Sequence, residues 1–144
     1  MTTAKLSMVV GNNNPDIPLG LKVLLDGQQI WSCSALTEQQ QITHDFEDIE
    51  GPHELEITMF GKLPEHTKMD GDQIVSDAML YVQEFVFDDL DITDFFVQKN
   101  AEYLHDCNGT QPMQSHPFYR DLGCNGTVKI KFNSPVYIWI LEQI

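Results

Sequence analysis

Apolar and polar residues alternate with a period of two in three separate segments of this 144-residue chain. In one of them Leu55, Ile57 and Met59 share one face, while acidic and hydroxyl side chains occupy the other. Successive side chains of a β-strand point to opposite faces, so this pattern predicts strands with one buried and one wet face. Antiparallel sheets tolerate one face in water, and we therefore expect antiparallel sheets. The three segments are residues 42–47, 53–60 and 127–132.

Two further segments, 79–87 and 136–141, are apolar on both faces. This pattern predicts central strands, or strands that are covered by another layer or by another subunit. In the second segment Tyr137 and Trp139 would share one face of a strand, opposite three aliphatic side chains. One of these two faces has to be covered. We therefore predict that Tyr137 and Trp139 lie in the core or at a subunit interface.

Turn-forming residues interrupt the chain often enough for about eight strands. Asp26-Gly27, between two predicted strands, is a favoured hairpin turn. Helix signals are weak: residues 35–41 fit about one turn, and residues 94–106 fit a short helix or an irregular excursion. No linker or low-complexity tract divides residues 1–144. The sequence therefore predicts a single all-β domain, an antiparallel β-sandwich or jelly roll with little helix.

The charge balance restricts the partners of the chain. It has 22 acidic and 8 basic residues, which gives a formal net charge of −14. Such a chain repels phosphate backbones and anionic lipid surfaces, so we expect neither a nucleic-acid partner nor a membrane. The N-terminal ten residues indicate a strand and not a signal peptide. We therefore expect synthesis in a reducing compartment, with Cys33, Cys107 and Cys124 as free thiols.

Motifs for catalysis are absent from the sequence. It contains no phosphate-binding glycine loop and no Gly-x-Ser-x-Gly elbow. The histidines and cysteines are scattered, so no nucleophile can be paired with a base, and we predict that the chain is not an enzyme. Four of these side chains are of the types that bind zinc, but their spacing matches no established zinc motif. They are His105, Cys107, His116 and Cys124.

Two weaker site signals concern calcium and sugars. Asp70, Asp72 and Asp77 lie in a glycine-containing loop, and calcium prefers carboxylate oxygens from such loops. Ordinary turn aspartates are the favoured alternative for these three residues. Trp31, beside the predicted hairpin, is the best candidate for an aromatic platform that stacks against a sugar ring.

Part of the chain resembles a known family. Four stretches between Leu19 and Ile92 carry the resemblance: LGLKVLLDGQQIW, THDFEDI, GPHELEITMFGK and DAMLYVQEFVFDDLDI. In their order they resemble the calcium-dependent, xylan-binding-like carbohydrate-binding modules, which are β-sandwich jelly rolls. The resemblance implies this fold, implies glycan adhesion, and places Asp70, Asp72 and Asp77 where such modules often bind calcium.

The C-terminal stretch LGCNGTVKIKFNSPVYIWILEQI, residues 122–144, resembles the end of small virion proteins of tailed marine phages. Together the two resemblances imply a structural protein of a phage particle. Such a protein would decorate a capsid or belong to a tail, neck or fibre. It would be made in the host cytoplasm, assemble with other virion proteins and form a homo-oligomer. The alternative is a calcium-dependent carbohydrate-binding module without a role in a virion.

Overall fold

The computed structural model describes residues 3–93 and 100–143. Within them eight strands have five residues or more, as the sequence predicts, and the remaining strands are shorter. The strands are β1 (Thr3–Asn12), β2 (Leu19–Leu25), β3 (Gln28–Leu36), β4 (Gln40–Glu47), β5 (Gly51–Phe60), β6 (Lys68–Asp70), β7 (Gln73–Ser76), β8 (Leu80–Phe87), β9 (Leu90–Asp91), β10 (Ala101–His105), β11 (Gln114–Pro117), β12 (Asp121–Leu122) and β13 (Gly126–Ser134). A 3-10 turn covers Pro64–His66, and helix α1 covers Val136–Gln143.

Two antiparallel sheets form the body of the molecule. The first has the order β12-β8-β1-β4, with β9 paired to β8. The second has the order β11-β10-β13-β5-β2-β3, and β6 and β7 form a separate hairpin. Every strand pairing in the described residues is antiparallel. The predicted all-β sandwich is therefore confirmed.

The core lies between the two sheets and follows the predicted alternation. In the second sheet Val23, Ile57 and Val128 stand opposite one another on neighbouring strands, and all three are fully buried. Leu55 and Met59 are buried on the same face of β5. Burying each such side chain stabilises the fold by about 1.5–3 kcal/mol, so these buried side chains hold the two sheets together.

The sequence of strand β8 looks apolar on both faces because a β-bulge interrupts the alternation of a strand that has one buried face. The pairing of β1 with β8 shifts register between Ser7 and Val9, and Glu84 has a left-handed backbone with φ of 54°. Val82 and Phe85 consequently both point into the core, although they are three residues apart. The prediction that this strand is central is confirmed, since it pairs with β1 on one side and with β9 and β12 on the other.

The predicted strand at 136–141 is wrong, because this segment forms helix α1. Pro135 precedes the helix, its carbonyl accepts the Trp139 N–H at 3.1 Å, and Val136 N–H donates to Asp48 Oδ1 at 2.9 Å. A proline fits the start of a helix because its missing N–H would have no partner there. Trp139 and Ile140 are buried at helical spacing from Val136.

The structure describes one of the two segments with weak helix signals in full and the other in part. Residues 35–41 contain the end of β3 and the beginning of β4, so the suggested turn of helix is absent there. The suggested excursion at 94–106 lies partly outside the described residues, and its part from Ala101 to His105 is strand β10. None of the helical segments in the described ranges has the length and apolarity that a membrane crossing requires.

Candidate functional site

One cluster of metal-binding side chains forms within residues 3–93 and 100–143. The ligand atoms of His105, Cys107 and Cys124 all lie within 4.8 Å of one another. Cys107 Sγ is 3.7 Å from His105 Nδ1. His105 ends strand β10, Cys107 lies in the turn towards β11, and Cys124 lies just before β13. The fold thus joins three residues from two segments of the chain.

Backbone contacts hold Cys124 in this position. The Tyr103 hydroxyl donates to the Cys124 carbonyl and accepts the Cys124 N–H at 3.0 Å. The next residue, Asn125, donates its N–H to Asn108 Oδ1 at 2.8 Å. These contacts tie the segment before β13 to the turn that carries Cys107.

Gly126 allows strand β10, with His105 at its end, to approach the segment that carries Cys124. A Cβ at this position would lie 2.4 Å from the Leu104 carbonyl oxygen and 2.8 Å from His105 Cβ. Both distances are below those that real Cβ atoms show, so a larger residue would push β10 away from β13. Only glycine brings His105 this close to the segment that carries Cys124.

The electrostatics of the cluster favour uncharged side chains in the absence of a metal. Burial, and then the neighbouring His116, lower the pKa of His105. Burial, and then the neighbouring Cys107, raise the pKa of the Cys124 thiol. The His116 ring stacks on His105 with 5.1 Å between the ring centroids. Three of the four residues that the sequence suggested for zinc therefore converge, and the fourth lies beside them.

A second network joins Asp26, His53 and Ser134. His53 Nδ1 lies 2.6 Å from Asp26 Oδ2, and His53 Nε2 lies 2.9 Å from Ser134 Oγ. Asp26 Oδ1 also accepts the Glu54 N–H at 2.8 Å. Burial alone would raise the pKa of Asp26, but the hydrogen bond from His53 and the one from Glu54 hold it below its ordinary value. No pattern along the chain indicates this grouping, since its members lie on β5, at the end of β13 and in the β2–β3 turn.

The order Asp–His–Ser is that of a hydrolase triad, but the surroundings favour a structural role. Ser134 is only 4 % exposed. The next residue is Pro135, which has no N–H, so the oxyanion donor that α/β-hydrolases place after their nucleophile is missing. His53 is satisfied at both ring nitrogens and stacks on Phe132. The network therefore ties three strand ends together.

A cleft of about 620 Å³ opens beside this network. Its lining combines carboxylate, amide and ammonium groups with two aromatic side chains that are almost fully buried. The polar groups can hydrogen-bond sugar hydroxyls. The lining residues are Asp26, Pro52, His53, Glu54, Asn100, Lys131, Phe132, Asn133 and Trp139.

The three aspartates proposed for calcium do not converge. Asp70 and Asp72 are exposed on the β6–β7 hairpin. Asp77 instead forms an ion pair with Lys62, 2.6 Å between Nζ and Oδ1, and accepts the Thr67 hydroxyl at 2.7 Å. The described part of the chain contains no set of three carboxylates close enough to share an ion. These three residues therefore do not fit a calcium site.

The aromatic residues singled out by sequence lie in three different settings. Trp31, on the edge strand β3, is half-buried and packs against the core, so its ring is only partly available to a sugar. Trp139 is 5 % exposed and belongs to the core, whereas Tyr137 is 62 % exposed. The two do not share a face, because positions two apart point to opposite sides of a helix.

The sequence matches no protein-family model and no curated protein. Two solved structures share the fold. One is the selenomethionine form of vCBM60, described together with an evolutionary link between two families of calcium-dependent carbohydrate-binding modules. It has a TM-score of 0.56 and 12 % identity, and the match covers 90 % of this chain and 91 % of that one. The other is vCBM60 in complex with galactobiose, with a TM-score of 0.51, 13 % identity, and 88 % and 96 % covered.

The fold is therefore that of a carbohydrate-binding-module-like β-sandwich. This agrees with the resemblance seen in residues 19–92. Both of the neighbours named here are described as carbohydrate-binding modules.

Proposed function

We propose that this chain is a non-catalytic carbohydrate-binding domain. The observation that supports this function best is the likeness in fold to vCBM60, which covers about nine-tenths of both chains. The same neighbour has been solved with galactobiose. The acidic surface also fits a neutral glycan better than a phosphate-bearing partner.

The cleft beside His53 is the surface we assign to the glycan. Lys131 and Asn133 are exposed on β13 and project towards the same cleft as Glu54 of β5. An ammonium, an amide and a carboxylate together supply both donors and acceptors, which a sugar with several hydroxyls requires. Trp139 and Phe132 also line the cleft, but both are almost fully buried, so the polar groups make most of the contact with the sugar.

Binding assays with a matched set of variants test this function. The full chain is titrated with galactobiose and with a panel of soluble β-linked polysaccharides in affinity electrophoresis. Lys131→Ala and Asn133→Ala should each weaken retention about tenfold, since each removes a hydrogen bond to the ligand. Lys68→Ala, an exposed lysine on the separate β6–β7 hairpin, is the control and should bind like the parent. Absence of retention on every glycan contradicts the proposal.

Calcium is the cofactor that the neighbours imply, and the same assay tests it. Repeating the titration with EGTA shows whether glycan binding depends on calcium. Loss of binding in EGTA would establish the requirement and direct attention to ligands other than Asp70, Asp72 and Asp77. Unchanged binding in EGTA would show that the side chains of the protein bind the glycan without calcium.

An exposed apolar side of helix α1 supports a second candidate function. Tyr137, Ile138 and Leu141 are each more than half exposed and lie at helical spacing on one side of α1. Apolar patches of this kind mark interfaces. We infer as the second candidate a homo-oligomeric virion subunit of a tailed phage, in the capsid decoration, tail, neck or fibre.

The mass of the purified chain tests this second candidate. Light scattering of the parent should give a defined oligomer, and Leu141→Ser should shift it towards the monomer. Val75→Ser, which removes an equally exposed aliphatic side chain on β7, is the control. A monomeric parent, together with absence from purified particles, contradicts the virion role.

A further inference from the structure

We propose that His105, Cys107 and Cys124 bind a zinc ion that fastens the β10–β11 turn to the beginning of β13. This inference is independent of glycan binding. It rests on the convergence of the three side chains and on the contacts that hold them.

The spacing of the donor atoms agrees with tetrahedral zinc. With Zn–S distances of about 2.3 Å and Zn–N distances of about 2.0–2.1 Å, two ligand atoms of a tetrahedron lie about 3.5–3.8 Å apart. The Cys107 Sγ and His105 Nδ1 atoms are 3.7 Å apart. The Cys124 sulfur completes a group that spans no more than 4.8 Å. Closing it around an ion would shorten the longest of these donor distances by about 1.2 Å at most.

The types of donor point to zinc among the common metals. Two thiolates and an imidazole are soft and borderline ligands, which zinc accepts and which calcium and magnesium do not. The fourth position is free for water or for His116, whose exposed ring already stacks on His105. In the present arrangement His105 Nδ1 accepts the Cys107 N–H at 3.2 Å, and zinc would replace that hydrogen as its partner.

The backbone around the cluster is held in place before any metal binds. Cys107 has a left-handed backbone, with φ of 51°, and a residue other than glycine needs support from its surroundings to keep this conformation. The Thr110 hydroxyl donates to the Cys107 carbonyl at 2.7 Å, and the Gly109 N–H donates to Asp106 Oδ1 at 2.8 Å. The turn thus keeps the Cys107 sulfur near the other two donors.

Metal titration of the full chain tests the site. Protein purified with a thiol reductant is stripped of metal and titrated with Zn²⁺, and with Co²⁺ as a spectroscopic substitute. We expect one ion per chain and a thiolate-to-cobalt charge-transfer band that Zn²⁺ abolishes. Zinc at a 100-fold excess over Kd should also raise Tm by about 5 °C or more.

Cysteine variants separate this site from adventitious binding. Cys124→Ser should weaken metal binding at least about 100-fold, more than is typical for a residue that only supports a ligand. Cys107→Ser provides the same test at an independent position, should one variant fold poorly. Cys33→Ser, a half-buried cysteine on β3, is the matched control and should bind like the parent.

Two results would overturn the proposal. One is a reduced, folded parent that gives neither a cobalt band nor a zinc-dependent change in Tm. The other is a Cys107–Cys124 disulfide found by mass spectrometry in protein purified with reductant, because that bond would consume both sulfur ligands.

Discussion

Lys62 and Asp77 form an ion pair, 2.6 Å between Nζ and Oδ1, in which the lysine side chain is only 2 % exposed. The same ammonium donates to the Gly123 carbonyl, and the Lys62 N–H donates to Asn125 Oδ1 at 2.9 Å. The pair therefore anchors the segment that carries Cys124. The aspartate that the sequence suggested for calcium has this structural partner instead.

Asp77→Asn should lower the free energy of unfolding by about 3 kcal/mol, because it leaves the buried Lys62 charge without its counter-ion. Urea denaturation followed by tryptophan fluorescence measures the change. Asp72→Asn, an exposed aspartate of the neighbouring hairpin, is the control and should stay within about 0.5 kcal/mol of the parent. Equal stability of both variants would show that the ion pair contributes nothing.

Acid should remove the stabilisation that Asp77 provides. Burial alone raises the pKa of Asp77, but hydrogen bonds from Lys62, Thr67 and the Ala78 N–H hold it below its ordinary value. A carboxylate with a depressed pKa in the folded state contributes stability above its unfolded pKa of about 3.9 and loses it as the pH falls through the folded value. Stability measured between pH 7 and pH 2 should therefore fall less steeply in acid for Asp77→Asn than for the parent. Parallel curves would contradict this.

Ser134→Ala should destabilise the fold by about 1–3 kcal/mol, since it removes the partner of a half-buried His53 nitrogen. Thermal melting measures this effect. Activity on p-nitrophenyl esters should stay at background for both parent and variant, because the network acts as a tie between strand ends. Ester hydrolysis by the parent that Ser134→Ala abolishes would instead make the network catalytic.

Glu84→Gly tests the bulge in β8. Glu84 has a left-handed backbone, which costs a residue with a Cβ about 1–2 kcal/mol, so glycine should be tolerated or should stabilise by up to about 1 kcal/mol. Glu84→Val should destabilise by a similar amount or more, because a β-branched side chain disfavours this conformation. The two variants are compared by thermal melting. If valine is tolerated as well as glycine, the bulge is not a fixed feature.

The strands with one wet face could be predicted from sequence because one buried face imposes a period of two. The bulge in β8 and helix α1 could not be predicted in this way. At Val82 and Phe85 the bulge resets the alternation, so a strand with one buried face reads as apolar on both. In helix α1 the exposed Tyr137 and Ile138 fill the gaps between buried positions and hide the helical period.

The candidate sites depend on contacts between distant segments, which spacing along the chain does not reveal. His105 and Cys124 meet because strand pairing places Gly126 opposite His105. The residue types suggested zinc, but only the register brings three of the four ligands together. Asp70, Asp72 and Asp77 show the converse, since they are close in sequence and do not converge in space.

The most direct test of the proposed function is titration of the full chain with galactobiose and with the polysaccharide panel. Saturable binding to at least one glycan, weakened about tenfold by Lys131→Ala and unaffected by Lys68→Ala, is the predicted result. No binding to any glycan, with or without added calcium, by a folded protein would contradict the assignment as a carbohydrate-binding domain.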